Sequence, residues 1–556
     1  MTSDTNSNAQ PIRYHALDGL RASMMLLGIV FHVAWFFQPT YLGHPITDNS
    51  ANEGFSVFFF WVHVFRMQAF FLIAGFFAHL LYAKRGWKSF IRQRLLRVGV
   101  PLVLGVLLMG PLMRLYYAWG GLISGRVQNS QGLLAQWLTS LKAITFETVP
   151  LLHLWFIYVL LILYVLTIAG LLIADRIVDR QGAIRKRLDT GFRLLVGSPY
   201  GIFLLAIPVA WTLSYDTEWF GLDTGNVIPW WWGVFGYLVF YSVGWMLYSH
   251  ADLLPNMTAN YRSQILIGSI LASVLWSVHF VHEPTGALTR SYPMLTGGEV
   301  SDYPRFRQVL LLARDAGNTH SPGGRIWSRI SPDFQQFIAQ HDRLTTDQAH
   351  GLSVELNEKV LASKDFADPS AFSTDGLSLE DIKLLHQPAT NRSIAQVPLL
   401  NRRLLESTLS GLFASRIVDQ PRYQAGKIFF NYGYAVASWL LVFGFLGLFI
   451  KHGSHPSPMF RYFSDASYWM FLIHLPIQFQ TEVLIAEWPL WWFWKCALHM
   501  VICFAIMIPS YHYLVRSTWV GGLLNGRRYP YQSMKRAMTR FPQESAPGSS
   551  MNHTPH

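Results

Sequence analysis

Three ionisable side chains interrupt the otherwise apolar stretch LDGLRASMMLLGIVFH, residues 17–32: Asp18, Arg21 and His32. Arg21 and His32 are eleven residues apart, about three helical turns, so both project from nearly the same face with the histidine about 16 Å further along the axis. Asp18 lies one turn before Arg21 on that face. A histidine titrates near neutrality and can take and return a proton at physiological pH. A second group of candidates sits in VHVFRMQAFF (62–71), which places His63 and Arg66 one turn apart. HLWF (153–156) contributes His153, and FLIHLP (471–476) contributes His474 just before the helix-perturbing Pro476. A third group is basic. WKSFIRQRLLRVGVP (87–101) carries Arg92, Arg94 and Arg97, and helical spacing predicts Arg94 and Arg97 on one face, a pairing suited to phosphate.

The elements that must position these residues are membrane spans. The chain has 556 residues, 51% hydrophobic, 15% aromatic and only 14% charged, with mean hydropathy +0.25. Soluble proteins carry about 25% charged residues. Windows of about 20 apolar residues predict an all-α polytopic membrane protein with about ten transmembrane helices. They fall near 18–38, 55–82, 98–117, 150–173, 195–214, 230–249, 264–282, 429–450, 466–484 and 491–515. The first span reads as an uncleaved anchor. Lys84, Arg85, Lys88, Arg92, Arg94 and Arg97 follow span two, and Arg176 to Arg193 supply six more cations after span four. The positive-inside rule then places both termini in the cytoplasm. The net charge of +12 is not a nucleic-acid signature, because the cations cluster between spans. Cys496 and Cys503, the two cysteines, suggest neither a disulfide framework nor a metal site.

Residues 283–427 break the pattern. They are polar, and by the span count they form an extracytoplasmic, mainly helical insert between the seventh and eighth spans. Helices are predicted in YPRFRQVLLLARDA (303–316) and VPLLNRRLLESTLSGLF (397–413), and a helix start with Ser378 as N-cap in LSLED (377–381). The domain plan is thus a first core part at 1–282, the insert at 283–427, a second core part at 428–520, and a disordered, cytoplasmic basic tail at 521–556. The insert is a candidate for binding a glycan or a protein partner.

Ionisable residues inside a span are expensive and mark candidate functional sites. For Arg21 a snorkelling position at the interface is an equally good reading, and His474 can equally serve to satisfy the Pro476 kink. His32 has no aqueous interface within a turn. His63, Arg66 and His153 fall on the outer side and suggest a polar cavity opening there.

The Arg-x10-His spacing of 21–32, IAGFF (73–77), RLLR (94–97), HLWF and YWMFLIHLP (468–476), taken in that order, resemble the membrane-bound acyltransferase 3 family. FRMQAFFLIAGFF (65–77) is most similar to its glucan biosynthesis protein C branch. The resemblance covers spans one to four and the last three, and not the insert. Ala74 stands where the family often has serine. The resemblance implies a bacterial inner-membrane O-acyltransferase. It would move a succinyl or acetyl group from cytoplasmic acyl-CoA, a donor substrate and not a bound cofactor, to a hydroxyl of a periplasmic glucan or other glycan. It implies His32 as the catalytic histidine with Arg21 as its motif partner, Asp18 at the cytoplasmic end of the seam, and Arg94, Arg97 and the neighbouring Arg92 at the CoA phosphates. His63, Arg66, His153 and His474 would line the substrate side. A general-base route and a covalent acyl-histidine route are both open at this point. A proton-coupled transporter or exporter remains a rival reading of the same polar seam, as does an O-acetyltransferase for a different surface polysaccharide.

Overall fold

The computed structural model describes residues 14–38, 48–50, 52–123, 132–142, 144, 149, 151–173, 183–198, 200–215, 222, 227–282 and 421–540, with scattered positions between 307 and 355. The described residues form helices and no strand. In chain order the helices are α1 (His15–Phe36), α2 (Glu53–Arg94), α3 (Val100–Ile123), α4 (Gly132–Lys142), α5 (Trp155–Ile173), α6 (Ala183–Gly197), α7 (Gly201–Leu213), α8 (Trp231–Ser249) and α9 (Tyr261–His282). They continue with α10 (Pro332–Gln340), α11 (Pro421–His452), α12 (Pro458–Ile485), α13 (Trp492–Ser510), α14 (Trp519–Asn525) and α15 (Met534–Thr539). A π turn, Leu95–Gly99, joins α2 to α3, and a second, Tyr511–Val515, follows α13.

Among the described residues, five stretches are long and apolar enough to cross a membrane: His15–Phe36, Gly54–Gly120, Leu152–Ile173, Ala425–His452 and Trp492–Val515. A sixth is added if the pair Lys186–Gly197 and Gly201–Leu213, bent by 108°, is one broken span. By this measure the expected ten spans are not reached. Part of the difference is continuity. Gly54–Gly120 counts as one stretch of 67 residues, though Gly86, at φ 72°, breaks its helix, and its length is enough for more than one crossing of a hydrocarbon layer of about 30 Å. Part is polarity. Helix α12 is 28 residues long and falls outside the set while carrying Asp465, His474, Gln478 and Glu482.

Helix α1 lies between α2 and α12, α2 packs on α8, and α11 packs on α9 and α7. Two glycines set the α2–α8 crossing. A Cβ at Gly75 would run into the Tyr241 carbonyl, and one at Gly244 into the Leu72 carbonyl, so the backbones touch where small residues allow it. Helix α12 starts at a Ser457 cap, whose hydroxyl accepts from the Phe460 N–H, with Pro458 in its first turn. The core is continuous through α1, α2, α5, α8, α11 and α12.

In the insert, α10 begins at a Ser331 cap whose hydroxyl also donates to Glu355 at 3.0 Å, and the Arg307 guanidinium donates to the Ile338 and Ala339 carbonyls. Residues 307, 310, 311 and 314 are helical, in line with the helix expected at 303–316. The expected helices at 377–381 and 397–413 lie outside the described residues. Helix α11 already begins at Pro421. The basic tail, expected to be disordered from 521, is instead folded through residue 540. Helices α14 and α15 pack against α12, because Asp465 of α12 binds Arg527 and Tyr529 (3.1 and 2.6 Å).

Candidate active site

His32 stands on α1 one turn beyond Gly28. Its Nδ1 is 2.7 Å from the Gly28 carbonyl and 3.1 Å from Nε2 of His474. His474 is fully buried, and its Nδ1 is 2.6 Å from the Phe471 carbonyl. A carbonyl can only accept, so His474 Nδ1 carries the proton and His474 Nε2 has the lone pair. Nδ1 of His32 therefore donates, shared between the Gly28 carbonyl and His474. Both contacts give the same tautomer, which leaves His32 Nε2 unprotonated.

His153 enters through the chain chemistry of Pro476. Proline has no N–H to give to the carbonyl four residues back, so the Leu472 carbonyl loses its helical donor. His153 Nε2 donates to that carbonyl at 3.2 Å, and its ring sits 4.9 Å from that of His474. The kink is thus satisfied by His153 and not by His474, which is free to face His32. Gln478, one turn beyond His474, ties α12 to α1 by donating to the Ile29 carbonyl at 2.8 Å.

Arg66 is 7% exposed and fills the space that a side chain at residue 28 would need, since a Cβ on Gly28 would collide with its Nη1. Its guanidinium lies 4.6 Å over the Phe31 ring, and its Nε has no hydrogen-bond partner. It is a buried cation one helical turn from His32. His63 lies with its ring 6.3 Å from that of Phe31, where the Tyr434 hydroxyl contacts its Nδ1 at 3.4 Å and its carbonyl at 3.3 Å.

Arg21 and Asp18 pair with each other at 3.3 Å, with Arg21 also 5.4 Å over the Phe77 ring. They stand at the mouth, about three turns from His32, and do not join the histidines. The basic end needs one correction: Arg94 and Arg97 do not share a face. Arg94 turns inward, donating to the Phe77 carbonyl at 3.5 Å and lying 4.9 Å over Tyr164. The π turn Leu95–Gly99 widens the helix by about one residue per turn and rotates Arg97 away. Arg97 instead lines a cavity of about 290 Å³ together with Arg85, Ser89, Arg92, Gln93, Gly522 and Gly526. Of the three expected phosphate contacts, Arg92 and Arg97 reach that cavity.

At the other end of α12 is a cluster that spacing alone did not reveal. Lys495 is fully buried and donates to both oxygens of Asp48 (3.0 and 3.1 Å), to Asn49 and to the Ala486 carbonyl. Burial, then the Glu482 charge, push the Asp48 carboxyl up to about 7. Glu482, also fully buried, lies 3.5 Å from His499. Lys495 follows five consecutive aromatic or apolar residues, Leu490 to Trp494, and reads locally as an interfacial lysine. Only the return of the 48–50 segment over α12 and α13 buries it.

A family model described as an acyltransferase domain matches residues 14–299. The chain is 31% identical over 160 residues to proteins named glucans biosynthesis protein C from Escherichia coli strains SMS-3-5 and K12 and from the APEC strain O1:K1. Each alignment covers 28% of this chain, and the chain spans 38% of the length of these relatives. No solved structure matches.

Proposed function

The chain belongs to the acyltransferase 3 family, and we propose that it is a membrane O-acyltransferase that carries an acyl group from cytoplasmic acyl-CoA to a sugar hydroxyl outside. The name of its relatives, glucans biosynthesis protein C, supports a glucan as acceptor; the proposed acyl group is succinyl, with acetyl the alternative. The spans are oriented with both termini in the cytoplasm of a bacterial cell, and the 283–427 insert faces the acceptor side as a candidate glycan- or protein-binding segment.

The observation that carries this reading is the ordered chain from the Phe471 carbonyl through His474 to His32, which leaves one basic nitrogen, His32 Nε2. That nitrogen takes the proton of the acceptor hydroxyl as the oxygen attacks the thioester carbonyl. The imidazolium that forms donates from Nδ1 to His474 Nε2, as a carboxylate partner would accept in a serine-hydrolase triad. Collapse of the tetrahedral intermediate expels the CoA thiolate, which recovers the proton from His32 Nε2. The Arg66 guanidinium stabilises negative charge on the carbonyl oxygen, or neutralises the free carboxylate of a dicarboxylic acyl group. The nucleotide end of the donor rests at the Arg85, Arg92 and Arg97 cavity.

The test is release of free CoA thiol by purified protein in lipid, from succinyl-CoA and acetyl-CoA, with and without a β-glucan oligosaccharide. Acceptor-dependent release is expected to fall by about 10²- to 10⁴-fold in His32→Ala. Release that persists in the variant removes His32 from the chemistry. No release with any acceptor favours the transporter reading.

A further inference from the structure

We propose that the segment after the last span, residues 519–530, is the second wall of the donor site, and that Gly526 positions Arg97 for the donor's phosphates. This rests on the acyl-CoA reading above. The cavity's lining is one-sided in charge. Arg85, Arg92 and Arg97 come from the end of α2 and the π turn, with Ser89 and Gln93 between them, and no carboxylate is among the lining residues. None of the three arginines has an ion pair among the described residues, and Arg97 also feels the like charges of Arg94, Arg85 and Arg527. The nearby carboxylates are committed elsewhere: Asp465 to Arg527 and Tyr529, and Asp18 to Arg21. Arg85 and Arg92 are exposed and Arg97 is half-buried, and cations gathered at one cavity without a counter-charge suit an anion supplied by a ligand. At about 290 Å³ the cavity lies at the small end of ligand sites, so it takes a phosphorylated ribose and not a whole nucleotide-thioester.

The opposite wall is the tail. Gly526 ends α14 in the left-handed region, with φ 72°, and a Cβ there would collide with the Arg97 guanidinium. Glycine therefore serves twice: it closes the helix and lets the guanidinium lie flat on the backbone. Arg528 runs along Gly522, a lining residue, its Nε 3.2 Å from where a Cβ would stand, and brings a further cation next to that wall. The wall is rigidly held. Asn525 donates to the Asp465 carbonyl at 3.0 Å, Tyr529 donates to its carboxylate at 2.6 Å, and the Tyr468 hydroxyl donates to the Arg97 carbonyl at 3.1 Å.

The test is equilibrium binding of 3′-phosphoadenosine 5′-diphosphate to the full chain in phosphatidylcholine nanodiscs, alongside steady-state kinetics. Gly526→Ala is expected to bind the nucleotide about tenfold more weakly, the order of one displaced charge-assisted contact. Its KM for the acyl donor rises by the same factor, while kcat and the acceptor KM stay within about twofold. Gly132→Ala imposes the same left-handed strain (φ 78°) with open space around the Cβ, and is expected to behave as wild type. Arg528→Ala, which leaves the helix end untouched, is expected to weaken binding about threefold, a typical exposed-charge effect. Wild-type binding in both Gly526→Ala and Arg528→Ala overturns the inference and leaves the acyl-CoA reading standing. Equal losses in Gly526→Ala and Gly132→Ala overturn it as well, since strain alone would then explain the loss. A wild-type protein that binds no nucleotide overturns the donor reading itself. Displacement of the nucleotide by added phosphatidylglycerol overturns both by assigning the cavity to a lipid headgroup.

Discussion

The pairing of His32 with His474 makes a graded prediction. His474→Phe keeps the ring that packs against His153 and Phe471 and deletes the nitrogen that accepts from His32. In the resting state that hydrogen bond joins two neutral rings and is worth about 1 kcal/mol, whereas on imidazolium formation it becomes charge-assisted and is worth about 1.5–3 kcal/mol. Only the difference, about 0.5–2 kcal/mol, acts on the chemical step, which gives about a 2- to 30-fold fall in kcat. The Gly28 carbonyl, 2.7 Å from Nδ1, still holds the tautomer in the variant, so the loss stays well short of that in His32→Ala. Single-turnover thiol release at saturating donor and acceptor is the assay, with thermal stability measured in parallel. Unchanged kcat in a folded His474→Phe protein would refute the relay. A loss as deep as in His32→Ala would refute it differently, because His474 itself would then have to carry the proton.

Three further outcomes follow from other contacts. Gly28→Ala expels the Arg66 guanidinium from its niche and is expected to cut kcat about 10²-fold, as loss of one transition-state donor does; full turnover would take Arg66 out of the reaction. Lys495→Met at pH 8 leaves Asp48 and Glu482 buried without their cation and is expected to cost about 3–5 kcal/mol of stability, read as a fall in the denaturation midpoint in lipid. Asp48, raised to about 7, holds a proton in the fold that the unfolded chain loses above about pH 4. Its stabilising contribution is therefore complete below about pH 4 and lost as pH rises through 7. The stability gap between wild type and Asp48→Asn should shrink or reverse over that range, and a constant gap would contradict it.

How much of this was legible in the sequence differs by residue, for physical reasons. The 3.6-residue period places His32 on the same face as Arg21 and Asp18 and about three turns from them, because a long apolar helix obeys ideal geometry. The same rule fails for Arg94 and Arg97, since a π turn leaves no signature in residue type. His474 was visible as an ionisable residue beside a proline, but which histidine answers the proline depends on where the Leu152–Leu154 turn docks, a contact across 319 residues. Lys495 and Asp48 meet across 447 residues, and each alone resembles an ordinary interfacial charge. Gly526 carries no signal until Arg97 is seen against it. The all-helical architecture, by contrast, follows from hydropathy, because unpaired backbone cannot be left in hydrocarbon.

The polarity that excludes α12 from a simple apolar span is what organises both ends of the site. Asp465 holds the tail, Tyr468 holds the Arg97 backbone, His474 faces His32, Gln478 clamps α1, and Glu482 joins the Lys495 cluster. These five residues span seventeen positions, about 25 Å of helix, close to the thickness of the hydrocarbon layer. From Tyr468, beside the Arg97 cavity, to His474 is six residues, about 9 Å along that axis. On the proposed acyl-CoA reading, a nucleotide head held at the mouth leaves only a flexible thioester arm to reach His32, and the charged head need never enter the apolar layer. Binding energy gathered from phosphates at the mouth can then be used to place the thioester carbonyl beside His32. One rigid helix sets both positions, so the distance between them does not depend on the loops on either side of the membrane.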